Sequence, residues 1–255
     1  MIRHPALSAV RVGCVQYLNS KPLIFGCEAP VVFDHPSGLA HDLASGALDV
    51  ALVPVFEALR SPPWLAVDEV AIACDGPVFS VFLAHQSPLA AIRRIALDPA
   101  SRTSVHLLQV LLAEFHDLHP EYVAENDDAK LLIGNQAIDF RLANPTGWHF
   151  LDLGAEWKRC TGLPFVFALW LMRPLLPDAA AIADELRGLK RDGLAHLPEI
   201  IHADREHDPI VSERYLTEHI RFDCGEREKA GLALFRTLLE KHALIAAGGA
   251  AIHFL

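Results

Sequence analysis

Val10-Arg11-Val12-Gly13-Cys14-Val15-Gln16-Tyr17-Leu18-Asn19-Ser20-Lys21-Pro22 sets the pattern for the whole chain. A short apolar run gives way at Gln16 to polar residues. Pro22 then stands where its fixed φ suits a first helical turn and its missing N–H costs nothing. The stretch predicts a strand, a loop and a helix. Val31–Phe33 reads as a second strand, and His35-Pro36-Ser37-Gly38 opens a helix that stops at Gly46. Asp49–Val53 is a third, buried strand closed by Pro54. Strands and helices alternating at such short intervals imply parallel βαβ units.

The alternation restarts after the turn Asp75-Gly76-Pro77. Strands are expected at Ser80–Ala84, Ile95–Leu97, Leu131–Ile133, Phe150–Leu151 and Phe165–Leu171, with helices at Thr103–Phe115 and Gly154–Cys160. Beyond Pro177 only helical patterns remain: Ala179–Arg191, a run around Leu197–His202, Ser212–His219 and Glu226–His242. This predicts an α/β chain of two doubly wound lobes with a helical C-terminal tail. The first lobe is expected over 1–85 plus 173–255 and the second over 86–172, with a ligand cleft between them.

Bulk composition removes several classes of function. Of 255 residues, 52% are hydrophobic and 21% charged, enough for a packed core and too apolar for disorder. The net charge is −10 and no segment concentrates Lys and Arg, which excludes a nucleic-acid backbone as partner. A small anion stays compatible, because helix N-termini and backbone N–H groups hold carboxylates without a basic surface. Cysteines 14, 27, 74, 160 and 224 form no CxxC pair, so free thiols in a reducing compartment are expected rather than a disulfide framework or a zinc site. Arg3, His4 and Arg11 interrupt the N-terminus, and its apolar runs are too short for a secretion signal. No stretch approaches the ~20 apolar residues of a membrane helix. The expectation is a cytoplasmic protein, monomer or homodimer, acting on a small molecule and not on a membrane.

Four segments put polar residues where strands of an open α/β sheet end and ligands collect. Asn19, before the first helix, reads equally as a cap or a ligand contact. Ser80 begins an apolar strand, and from spacing it reads first as a buried serine satisfied by backbone. In Asp98-Pro99-Ala100-Ser101-Arg102-Thr103-Ser104, three hydroxyls meet a helix start. One cap needs only one of them, so Ser101, Thr103 and Ser104 point to an anion cradle, with Arg102 adding charge or facing solvent. Gly134 permits a sharp turn at a strand end that would bring Asn135 and Gln136 toward the cleft, although a plain turn explains it as well. His202, Asp204, His207 and Asp208 are clustered, but the histidines are five apart rather than one helical turn, which suggests a solvated helix end and no metal. No Walker loop, GxGxxG or nucleophile elbow is present.

Val12 through Leu23, with its Tyr-Leu-Asn-Ser-Lys-Pro core, resembles the opening of the chorismate dehydratase family of the futalosine route to menaquinone. Asp49 through Pro54, Gly76 through Val81 and Asp98 through Ser104 follow in the family's order. Asp152-Leu153-Gly154-Ala155-Glu156-Trp157-Lys158 and Thr161-Gly162-Leu163-Pro164-Phe165-Val166-Phe167-Ala168 resemble its most distinctive block. The likeness spans residues 10 to about 172 and is specific only in combination. It implies a type II periplasmic-binding-protein-like fold and an enzyme, a carbon–oxygen hydro-lyase, that converts chorismate to 3-[(1-carboxyvinyl)oxy]benzoate with no cofactor and no metal. It implies Asn19 and Ser80 at the reacting substrate and Thr103 and Ser104 at a carboxylate. From their places at the strand ends, Ser101, Gly134 and Gln136 are expected as further substrate contacts. Where the family often has an acidic residue after the Ile-Gly turn, this chain has Asn135. The competing expectations are a non-catalytic solute-binding protein, which shares the fold but needs export, and the related dihydroxynaphthoate synthase, whose N-terminal signature differs.

Overall fold

The computed structural model describes residues 4–60, 63–98, 101–125, 127–143, 145–249 and 252–255, so Pro99 and Ala100 of the hydroxyl-rich segment lie outside the described residues. Among the described residues the strands are β1 (Val12–Cys14), β2 (Val31–Phe33), β3 (Val50–Pro54), β4 (Leu65–Cys74), β5 (Val81–His85), β6 (Arg94–Ala96), β7 (Glu121–Val123), β8 (Ala129–Ile133), β9 (His149–Asp152), β10 (Phe165–Met172) and β11 (His253–Phe254). They form two sheets, ordered β11-β4-β10-β3-β1-β2 and β7-β6-β8-β5-β9.

Parallel βαβ units are present where the alternation predicts them: β1 lies parallel to β2 and β3, and β6 to β7 and β8. The sheets are nonetheless mixed. β10 runs antiparallel to β3 and β4, and β5 runs antiparallel to β8 and β9. β5 and β10 are the first strands after each passage from one sheet to the other. The chain passes over at the end where the parallel strands finish, so the strand that follows must point back.

That geometry corrects the expected lobe boundaries. Val81–His85 pairs with β8 and β9 in the second sheet, and Phe165–Met172 pairs with β3 and β4 in the first. The passages therefore lie at 75–80 and 153–164, one strand earlier than expected in each case. An apolar run shows that a strand is buried but not which sheet receives it. β4 had no counterpart in the sequence reading, because Asp68-Glu69 interrupts its apolar run. Glu69 has φ +64°, and the pairing with β10 shifts register there, as at a bulge.

Trp157, Trp170, Phe165 and Phe235 are fully buried in a hydrophobic cluster that includes residues of both sheets. Trp157 meets Phe165 edge-on at 5.2 Å, and Phe165 meets Phe235 at 5.0 Å. Burying one such ring contributes roughly 2–3 kcal/mol. The tail supplies the helices Ala179–Ala195, Leu197–Ala203 and Glu226–Lys241, and a helix Pro209–Arg214 that widens into a π-helical turn at Tyr215–His219. Among the described residues no helix is long and apolar enough to cross a membrane.

The tail grips the opening motif closely. The helix Ala179–Ala195 packs on the short helix Lys21–Ile24, and a Cβ on Gly193 would lie 1.8 Å from the Pro22 carbonyl oxygen. Gly193→Ala is expected to cost about 1–3 kcal/mol by forcing the two helices apart. Gly188→Ala, on the same helix with its nearest atom at 3.8 Å, should leave Tm unchanged or raise it. Thermal unfolding of the two variants checks this, and equal Tm values would contradict the close packing.

Candidate functional site

A cleft of about 630 Å³, open to solvent, lies between the sheets. Loops that end β1 and β8, the passage into β5 and the start of the helix Arg102–Val110 converge on it. Asn19, Ser80, Ser101, Thr103, Ser104 and Gly134 all line this cleft. Gln136 does not. It is exposed, and its Nε2 donates to Asp98 Oδ2 at 2.6 Å.

Asn19 sits in a short 3₁₀ turn, Leu18–Ser20, fixed by Ser20, whose Oγ donates to the Val15 carbonyl at 2.7 Å. The Asn19 side chain caps no helix. Its Nδ2 donates to Tyr215 Oη at 2.9 Å, while its Oδ1 is buried without a hydrogen-bond partner. A buried amide oxygen left unsatisfied costs about 1–3 kcal/mol, and this one belongs to a residue that lines the cleft.

Ser80 is 1% exposed, and its Oγ shares a hydrogen bond of 2.8 Å with the same Tyr215 Oη. Its partner is a phenol, not backbone. The residue before it, Phe79, has φ +68°, and Ser80 N donates to Val78 O at 2.8 Å, which makes a three-residue γ-turn. A non-glycine residue held there stores about 1–3 kcal/mol of strain. Asp152 offsets it: its carboxylate accepts from Val78 N, Phe79 N and Ala155 N at 2.8–3.0 Å and from Arg141 Nη1 at 3.1 Å. The Arg141 guanidinium also lies over the Phe79 ring at 4.6 Å.

Opposite these two residues, the helix Arg102–Val110 presents its first turn. Ser101 holds the cap position without a side-chain capping bond, so the first N–H groups stay available. Thr103 Oγ1 accepts from Phe56 N at 3.2 Å, which ties this turn to the first lobe. Arg102 also lines the cleft. Its Nε is 3.4 Å from Glu57 Oε1, and Arg60 meets the other Glu57 oxygen at 2.7 Å. Two arginines around one glutamate leave one positive charge at the cradle's edge.

Gly134, at φ +63°, ends β8, and its N–H donates to the Ser80 carbonyl at 2.9 Å. A Cβ there would sit 3.0 Å from the Tyr17 ring. Among the described residues lining the cleft there is no Asp, Glu or His. Burial pushes the Tyr215 phenol well above its usual pKa, so it keeps its proton at neutral pH. All five cysteines are free, and burial raises the Cys14 thiol to about 12, which makes it inert as a nucleophile.

Tyr215 and Asp152 were not singled out for these roles from sequence. Nothing in local spacing shows that Tyr215 reaches back 196 positions to Asn19. The 202–208 cluster needs correction as well. His202 and Asp208 are exposed, as a solvated helix end would have them, but Asp204 and His207 are buried: Asp204 accepts from Lys21 Nζ and Ser212 Oγ at 2.9 Å and lies 3.1 Å from His207 Nδ1. On the far side, His207 Nε2 is 3.8 Å from Asp139, and Glu206 accepts from Asn135 Nδ2. The segment clasps the two lobes together beside the cleft.

The family described as menaquinone biosynthesis matches residues 10–241. The chorismate dehydratase of Thermus thermophilus is 32% identical, over 89% of this chain and 94% of that protein. Among solved structures, an Archaeoglobus fulgidus protein superposes with a TM-score of 0.76 at 18% identity, covering 95% of this chain and all of that one. The periplasmic aliphatic sulphonate binding protein of Escherichia coli gives 0.64 at 14% identity, covering 93% of each. At such identities these two structures establish the fold alone, a periplasmic-binding-protein-like one.

The clasp has a pH signature. Burial opposes the charge on Asp204, but the hydrogen bonds from Lys21, His207 and Ser212 outweigh it and hold its pKa at about 2, below the ordinary 3.8. A depressed carboxylate stabilises the fold above its ordinary pKa, and that contribution is lost as pH falls from about 4 toward 2. Asp204→Asn should be less stable at neutral pH and should lose less stability through that acid window than the parent. Acid unfolding followed by tryptophan fluorescence checks it, and parallel curves would refute it.

Proposed function

The chain belongs to the menaquinone biosynthesis family, and on that footing we propose that it is a chorismate dehydratase, converting chorismate to 3-[(1-carboxyvinyl)oxy]benzoate and water. The observation that carries this reading is a cleft with hydroxyls, an amide and a helix N-terminus on its walls but, among the described residues, no carboxylate or imidazole. Chorismate has two carboxylates. One suits the first turn of the helix Arg102–Val110, where Ser101, Thr103, Ser104 and the free N–H groups meet the Arg102 charge. The ring then extends toward Asn19 and Ser80. Gln136, exposed and bonded to Asp98, stays outside this lining.

The elimination breaks the C3–H and C4–O bonds. The C3–H electron pair becomes a ring double bond, and the C4 hydroxyl leaves. The substrate's own enolpyruvyl carboxylate takes the C3 proton, and the departing hydroxyl picks that proton up to become water. Ring aromatisation makes the step strongly downhill, so the enzyme needs to supply geometry more than a strong base. Asn19 and Ser80 orient the reacting groups, and the lobes exclude water from the carboxylate.

Purified protein incubated with chorismate should yield the aromatic product, seen in its ultraviolet spectrum. A solute binder of the same fold would leave the spectrum unchanged. Asn19→Leu and Ser80→Ala should each lower kcat by about a hundredfold or more. kcat should also stay flat with pH across neutrality. An inflection there traced to a protein side chain would refute the substrate as base.

A further inference from the structure

We infer that Tyr215 is a positioning residue whose single hydroxyl fixes Asn19 as a hydrogen-bond acceptor and Ser80 as a donor, and so builds a subsite for the substrate's leaving hydroxyl. This deepens the dehydratase reading and rests on it for the identity of that hydroxyl. The inference follows from counting protons. Asn19 Nδ2 donates to Tyr215 Oη at 2.9 Å, so the phenol accepts there. The phenol has one proton, and its other partner is Ser80 Oγ at 2.8 Å. With the Tyr215 proton directed to Ser80, the Ser80 hydroxyl proton is released for the cleft. On the other side, anchoring the Asn19 amide nitrogen leaves its oxygen, the buried Oδ1, without a partner on a residue that lines the cleft.

The cleft wall thus offers one acceptor and one donor, on two side chains anchored to the same phenol oxygen. A carboxylate wants two donors and would be repelled by Oδ1. An alcohol fits, because it donates once and accepts as well. Asn19 Oδ1 receives the alcohol's proton, and Ser80 Oγ–H donates to the oxygen as the carbon–oxygen bond lengthens and negative charge grows there. Tyr215 itself is 2% exposed and lies behind the pair, out of the lining of the cleft. It begins the π-helical turn Tyr215–His219, a local widening of a kind often found at functional sites.

Tyr215→Phe removes one oxygen and keeps the ring. In this variant kcat for chorismate should fall about a hundredfold through misorientation, while the affinity for 3-[(1-carboxyvinyl)oxy]benzoate, which lacks the hydroxyl, stays unchanged. Unchanged kcat would overturn the inference and leave the dehydratase reading intact. A parallel loss of kcat and product affinity would overturn it too, since that marks a merely structural role. A second measurement does not depend on turnover or on Tyr215→Phe folding: the side-chain amide of Asn19, assigned in ¹⁵N spectra by its loss in folded Asn19→Leu. Slow solvent exchange of one Nδ2 proton in the parent protein supports the bond to Tyr215, and fast exchange of both overturns it. If the parent leaves chorismate unchanged, the dehydratase reading falls, and the amide exchange still decides the direction of the hydrogen-bond chain.

Discussion

The buried hydroxyl of Tyr215 joins three parts of the chain that are far apart in sequence: the turn after β1, the passage into β5 and the helical tail. Each of its two bonds is of ordinary length, and each contributes about 1 kcal/mol net. Their importance lies in what they constrain. Asn19 and Ser80 sit on separate segments, and without a shared anchor each amide or hydroxyl would rotate to satisfy itself. With the anchor in place, the oxygen of one and the proton of the other are left unspent on residues that line the cleft. The surrounding structure serves the same end, since Asp152 accepts three backbone N–H bonds to keep the turn at Phe79 from relaxing.

Charge in the cleft is arranged sparingly. The only cationic side chain in its lining, among the described residues, is Arg102, and Glu57 draws on that charge from behind. A fully exposed cluster of arginines would hold a dianion more tightly, but equally in the starting and reacting states, which gains nothing in rate. Dipoles of fixed direction discriminate better, because they can be aimed at the atom whose charge changes. The low charge also suits a proposed reaction in which the substrate carries its own base. A strong cation beside the enolpyruvyl carboxylate would make it a poorer proton acceptor.

Much of this site is legible in sequence because its parts obey local rules. Asn19 announces itself by standing between a strand and a helix, and Ser101, Thr103 and Ser104 by exceeding what one helix cap requires. Those signals act over a few residues. Tyr215 has no such signal: it looks like one apolar position in a tail helix, and its role depends on pairing across most of the chain. Asp204 and His207 were misread for the same reason, since their partners Lys21 and Asp139 come from other elements. The lobe boundaries failed on a related point. The burial of β5 and β10 is written in their composition, but their sheet membership is written only in the register of their neighbours.

Gly134 illustrates how a missing atom shapes the two lobes. Its left-handed backbone ends β8 close to Tyr17, whose ring would lie 3.0 Å from an added methyl group. A side chain there would strain the left-handed turn and press on that ring. The loop after β1 and the end of β8, one from each lobe, are thus set against each other by bare backbone.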